Sequence, residues 1–304
     1  MPLPTLTRRH VLGAGAAGAL LGLGGLAGCA TPLPLNAPEP ASDPDADRLL
    51  RESAEAHGLA AYRQLTDINV RYTGQWRPLI DRIQPVVVDK TFRGGSEERL
   101  MPAAGVVAQA YTGSAGHKQV AWRRGRGTEG DLGEVAVWFN GQPSADADVL
   151  SAAALVAEGY GLFLLGPLWI AERGFVTRRA GGEVVDGRRC EVVQVWKRPG
   201  LGRVALDRVA LCIDPSTGLT RRVRFTLEGN AGTQGAVAEV DTFDHERRFG
   251  VMWPMRSYEE VVHPIRLPAH DWRIDGLDVN RGYDSAALLG PAFTGAAAAP
   301  AGAL

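Results

Sequence analysis

Cysteine is scarce, with three in 304 residues, so the chain is not a small scaffold held by a dense disulfide framework. A surplus of charge of either sign is also missing: 33 Lys+Arg stand against 34 Asp+Glu, a formal net charge of -1. A nucleic-acid-binding domain normally carries a basic excess to neutralise phosphates, so no nucleic-acid partner is expected. Metal-ligand spacing is absent too. His10, His57, His117, His245, His263 and His270 form no H-x-x-x-H or H-E-x-x-H pair that would set two zinc ligands on one helical face. His263 and His270, on either side of Pro264 and Pro268, read as loop or edge-strand residues. Gly113-Ser114-Ala115-Gly116 lacks nucleophile-elbow spacing, because Gly113 directly adjoins Ser114. The carboxylate pairs Glu97-Glu98 and Glu259-Glu260 are adjacent, which in a strand points them to opposite faces, and they read as solvated charge. No catalytic residue, metal or cofactor is expected, and acid/base pairs between distant strands stay open.

Composition is that of a globular chain, 45% hydrophobic and 22% charged, with much of the glycine and proline excess at the two ends. At the N-terminus Arg8 and Arg9 precede an uncharged Gly/Ala-rich run from Val11 to Ala27, the pattern of an export signal rather than a spanning helix. Gly13 to Gly18 formally matches G-x-G-x-x-G, but no strand precedes it and no βαβ unit follows. Leu26-Ala27-Gly28-Cys29 resembles a bacterial lipobox, and Thr7 to Leu12 resembles the twin-arginine export motif, with Val11 at the usual phenylalanine position. The resemblance implies a signal peptide over residues 1–28, a lipidated Cys29 as mature N-terminus, and a membrane anchor. Losing Arg8 and Arg9 leaves 31 basic against 34 acidic residues. Residues 29–44, rich in proline, form an extended tether. By resemblance to enterobacterial sorting rules, Ala30 rather than Asp after the cysteine favours the periplasmic face of the outer membrane if the source is Gram-negative. The Ala/Gly-rich stretch 285–304 reads as a poorly ordered tail, which leaves 45–284 as the folded domain.

That domain opens on a predicted helix, capped by Asp43 with Pro44 in its first turn. From Asp67 the apolar period changes to two, and about eleven strands follow, at 67–76, 85–92, 105–111, 118–122, 134–139, 189–196, 203–213, 220–227, 236–243, 251–262 and 271–280. Turns such as Asn140-Gly141 and Asp186-Gly187 join or flank them, so the fold class is mainly β, antiparallel, with some helix. One segment differs. From Asp146 to Ile170 the chain is helix-prone and then apolar almost all round, so protein or ligand must shield it from water. Two readings stay open, a core helix lying on a sheet or a lid hinged at Gly159, Gly161 and Gly166 over a greasy cavity.

A leading helix, a long meander, an apolar helical insert, the hairpin-like 185–192 and the turn Asp214-Pro215-Ser216-Thr217-Gly218-Leu219 together resemble the LolA/LolB-like lipoprotein-carrier superfamily. The likeness covers most of residues 45 to 282 and implies an unclosed β-barrel around helices, with a hydrophobic cavity that holds acyl chains. No family binding residue maps onto a position here. The cavity candidates Trp138, Tyr160, Leu162, Phe163, Leu164, Trp169 and Trp253 come from the sequence, where core packing explains large apolar residues equally well. Export leaves Cys190 and Cys212 as the only possible intramolecular disulfide. A hairpin centred on Leu201 sets them directly opposite, within bonding reach, while a register slip leaves two buried thiols. The expected function is a lipid-anchored envelope protein that binds an acyl chain, lipid or lipoprotein without turnover. The alternatives are an assembly lipoprotein with a filled core and a protein partner and, third, an envelope hydrolase.

Overall fold

The structure is a computed structural model that describes Leu33, residues 38–126, 130–295 and Ala298. Helix α1, Pro44–Ala56, starts where the sequence places it: the Asp43 side chain accepts from the Asp45 N–H at 3.0 Å, and Pro44 occupies the first turn where no donor is needed. Its apolar side, with Ala46, Leu50 and Ala54, turns inward. A short helix α2, Leu59–Tyr62, follows.

The strands are β1 (Ile68–Trp76), β2 (Gly95–Met101), β3 (Val106–Gly113), β4 (Gly116–Arg123), β5 (Glu134–Phe139), β6 (Gln142–Pro143), β7 (Val176–Val185), β8 (Arg188–Lys197), β9 (Asp207–Ile213), β10 (Thr220–Thr226), β11 (Val237–Arg248), β12 (Val251–His263) and β13 (Leu267–Val279). They form one antiparallel sheet in the order β6-β5-β4-β3-β2-β1-β13-β12-β11-β10-β9-β8-β7. Only the β1–β13 pairing joins strands distant in sequence; it brings the two halves of the meander together. β6 and β7 remain as edges, so the barrel is unclosed. The turn joining α1 to α2 lies on the β11–β12 turn: a Cβ on Gly58, at φ +94°, would stand 2.2 Å from the Gly250 carbonyl oxygen.

Thirteen strands replace the eleven expected. β2, β6 and β7 are additional, while 85–92 is not a strand. Pro85 instead opens helix α4, Pro85–Val88, directly after helix α3, Pro78–Ile83. The valine run reads as β by propensity, but proline cannot donate to a ladder and fits the first turn of a helix. The C-terminal stretch also departs from expectation: Ser285–Leu288 is a 3-10 turn, and Leu288 and Phe293 pack on Met101, Val106, Ala108 and Ala110 of the outer sheet face.

Cys190 and Cys212 are both buried free thiols rather than a disulfide. The β8–β9 ladder pairs Cys212 with Val192 and closes at Lys197 opposite Asp207, so the hairpin centres on Gly202 and Cys190 is displaced along its strand. The Cys212 thiol lies 3.1 Å from the Glu183 carboxylate, and burial pushes its pKa well above the usual thiol range. Both cysteines join an outer-face cluster with Val185, Val192 and Ala210, and Leu33 packs into the same cluster. The signal segment and Cys29 lie outside the described residues.

Candidate functional site

The concave side of the sheet holds helix α5, Ala147–Leu165. The Asp146 side chain caps it, accepting from the Asp148 and Val149 N–H groups at 2.9 and 3.2 Å. From Ala152 to Leu165 every residue is buried, so this apolar helix lies within the core and packs against β3, β4, β5 and β12. By length and composition alone it also passes as a membrane span. It ends at Gly166, whose φ of +51° and ψ of -120° suit glycine alone, and Pro167 starts the short helix α6, Pro167–Ile170.

Tyr160, Leu162, Phe163, Leu164, Trp169 and Trp253 all belong to the core cluster around α5. Trp138 does not. In β5 it is Val137 that faces the core, and the strand's period of two turns Trp138 to the other face, where it is half-buried. Tyr160 is the centre of an aromatic group at one end of the interior. Its ring lies 5.3 Å from Tyr72 and 5.4 Å from Trp272, and its hydroxyl is 3.2 Å from His270 Nδ1. His270 is stacked between Trp76, at 4.2 Å and 3°, and Trp272, at 4.7 Å and 23°. It is therefore a buried interior residue and not a loop or edge residue. Burial holds its pKa well below the ordinary histidine value, so the ring is neutral.

These rings border a cavity of about 130 Å³ that Arg93 and Ser96 also line. The Arg93 guanidinium lies 4.6 Å from the Tyr111 ring and donates to the Val87 carbonyl at 3.0 Å, while its Nε has no partner. Glu98 turns inward from β2, contrary to its reading as solvated charge. It accepts from Gln109 at 2.5 Å and from the Tyr72 hydroxyl at 3.3 Å. Burial pushes its pKa up to about 8, and burial pushes Glu259 up to about 7 against the opposing pull of Arg93. The one acid on the buried part of α5, Glu158, meets Lys197 at 2.5 Å, with both side chains out of water. Sequence reasoning missed Arg93, Glu98 and His270. One signal was available: His270 and Trp272 are two apart in one strand and so share a face with the core.

On the open side of the barrel a second space opens, a cleft of about 710 Å³ lined by Arg123, Arg124 and Arg126 on the β4–β5 side and by Arg173, Phe175 and Arg198 on the β7–β8 side. Beneath it lies buried Trp169, with the Arg124 guanidinium 5.3 Å and the Arg173 guanidinium 4.5 Å from its ring.

No family model matches the chain, and no curated protein matches it. Solved structures do. A DUF1329 family protein from Desulfovibrio piger aligns over 82% of this chain and 98% of its own at a TM-score of 0.51 and 11% identity. The chain shares that protein's fold, here an open antiparallel β-barrel. Two further similar structures are a LolA superfamily protein from Nitrosomonas europaea, with 80% of this chain and 96% of its own aligned at a TM-score of 0.48 and 10% identity, and an outer membrane lipoprotein-sorting protein domain from Vibrio parahaemolyticus, with 80% and 97% aligned at 0.40 and 9%. At such identities the likeness is one of fold.

Proposed function

We propose that this protein is a lipid-anchored envelope protein that binds a hydrophobic ligand, an acyl chain, a lipid or a lipoprotein, inside the unclosed barrel and carries out no chemical turnover. The observation that carries this reading is the pairing of an apolar concave sheet with α5, a helix apolar almost all round, with Glu158 ion-paired to Lys197. An apolar body of similar shape can cover that sheet as α5 does, because burial of apolar surface is non-directional. The 130 Å³ cavity alone lies well below the roughly 300 to 1,000 Å³ of ordinary ligand sites, so cargo enters by parting α5 from the sheet. Neutral His270 adds no charge to the cavity, where Arg93 is the charged side chain in the lining. Lipidation at Cys29, export through the signal segment and residence at the outer membrane rest on the sequence motif.

A second reading, an assembly lipoprotein with a filled core and a protein partner, is favoured by the completeness of α5 burial. Native mass spectrometry of the purified full-length chain separates the two. The carrier reading expects an adduct of lipid mass that organic solvent extracts and added oleate restores. A chain that is empty as purified and takes up no oleate favours the filled core and overturns the carrier.

A further inference from the structure

We propose that the arginine cleft on the open side of the barrel is a binding site for a phosphate-bearing anion, the headgroup of a phospholipid whose chains pass Trp169 into the interior. The inference deepens the carrier reading and rests on it for the path of the chains.

The cleft holds more positive charge than its own carboxylates neutralise. Glu134 meets Arg123 at 2.5 Å, and Arg198 donates to Glu39 at 2.5 Å from across the cleft wall. Asp131 is occupied by backbone, accepting from the Arg126 N–H at 3.1 Å and the Gly133 N–H at 3.4 Å. Among the described residues, Arg124, Arg126 and Arg173 have no carboxylate within ion-pair reach. Two of the three lie against one indole, which steadies their planes but supplies only part of the stabilisation that an ion pair gives. Arg173 Nη1 is shut away from water without a partner, and so is Trp169 Nε1. A buried donor left unpaired costs roughly 1 to 3 kcal/mol, more when charged, so the site is incomplete as it stands. An oxyanion with several oxygens completes it: guanidinium groups match phosphate through paired N–H donors, and three of them answer its charge.

Placement decides between an isolated anion site and a headgroup site. The cleft straddles the gap in the barrel, and two of the arginines that line it, Arg124 and Arg173, lie against the ring of Trp169, which is buried in the same core cluster as α5. A molecule lying there meets the guanidinium groups, and the apolar core begins at Trp169 directly behind Arg124 and Arg173. Its volume of about 710 Å³ is that of an ordinary ligand site and accommodates far more than one phosphate.

The experiment is calorimetric titration of the full-length chain at low ionic strength with three probes: inorganic phosphate, monomeric dihexanoyl phosphatidylglycerol, and uncharged monooleoylglycerol. The expected result is saturable binding of the phosphatidylglycerol at least tenfold tighter than that of phosphate. Arg124→Gln with Arg173→Gln should weaken it at least tenfold, while monooleoylglycerol binding is retained and Arg189→Gln, an exposed arginine on β8, has no effect. Arg126→Gln, also exposed, provides an independent variant if the double substitution does not fold, and should weaken binding at least threefold. Phosphate binding as tightly as the lipid would assign the cleft to a free anion and overturn the headgroup assignment. Equal affinity in wild type and variants would overturn the site altogether. Failure to bind monooleoylglycerol would count against the carrier reading and leaves the cleft to be judged on its phosphate arm.

Discussion

Glu98 shows how a single carboxylate links fold and pH. Its folded pKa of about 8 lies above the unfolded value near 4.5, so the folded state binds the extra proton between those values. The stability this residue permits is fully present below about pH 4.5 and is lost as pH rises through 8, at no more than about 1.4 kcal/mol per pH unit for one proton. Glu98→Gln removes the titration, and the urea midpoint of the variant should fall less than that of wild type between pH 5 and 8. Parallel midpoint curves would refute the protonated assignment. His57 and His245 act in the opposite direction. Burial lowers both to about 4, so their contribution is present above the unfolded histidine pKa of 6.5 and is lost as pH falls through 4. The thiols give a second residue-scale prediction. Alkylation of the exported protein under denaturing conditions without reductant should label both Cys190 and Cys212; an intact mass two protons low with neither labelled would mean that they are bonded. Neither inward Glu98 nor the offset cysteines were legible in the sequence. Alternation says that Glu97 and Glu98 part company, but which one turns inward depends on Tyr72 and Gln109 arriving from neighbouring strands.

At the scale of elements, α5 behaves as a core helix in the resting structure, and this sets the outcome of placing a charge on it. Leu164→Lys buries an ammonium beside His57 and His245, two neutral rings that offer no counter-charge, and should cost about 3 kcal/mol or more. Leu164→Met conserves volume and should cost less than about 1.5 kcal/mol. Chemical denaturation measures both; Leu164→Lys that loses ligand but keeps its stability would return α5 to the role of a loose lid. The strands that sequence located best were those with plain alternation and clear turns, as in Glu134–Phe139 before Asn140-Gly141. β7 is absent from the expected strands, and Arg178-Arg179-Ala180-Gly181-Gly182 shows no polar–apolar alternation. The ladder in fact skips across Ala180 and Gly181 at a bulge, so the alternation on which recognition depends is broken there.

For the whole molecule the anchor is the decisive test. Cys29→Ala should abolish lipid labelling and release the protein from membranes, since each buried methylene of a lost chain removes about 0.8 kcal/mol of attachment. Unchanged membrane fractionation would refute the lipobox reading. Fold class was legible as a whole, because antiparallel meanders pair neighbours in sequence and eleven runs of period two leave few other arrangements. The pairing of β1 with β13 was not, since it joins the first strand to the last across the length of the domain.

Leu33 carries a consequence for how the protein stands at a surface. It is 2% exposed, wedged into the outer wall of β8 and β9 beside Cys190 and Cys212. It lies four positions along the chain from Cys29, a span of roughly 14 Å at full stretch. On the proposed lipidation of Cys29, its acyl chains would be moored close to that wall, with the barrel berthed on its β7–β9 side against the headgroups. Leu33→Asp should leave the mooring intact and free the berth, read as faster protease cleavage between residues 38 and 43 in membrane-bound protein.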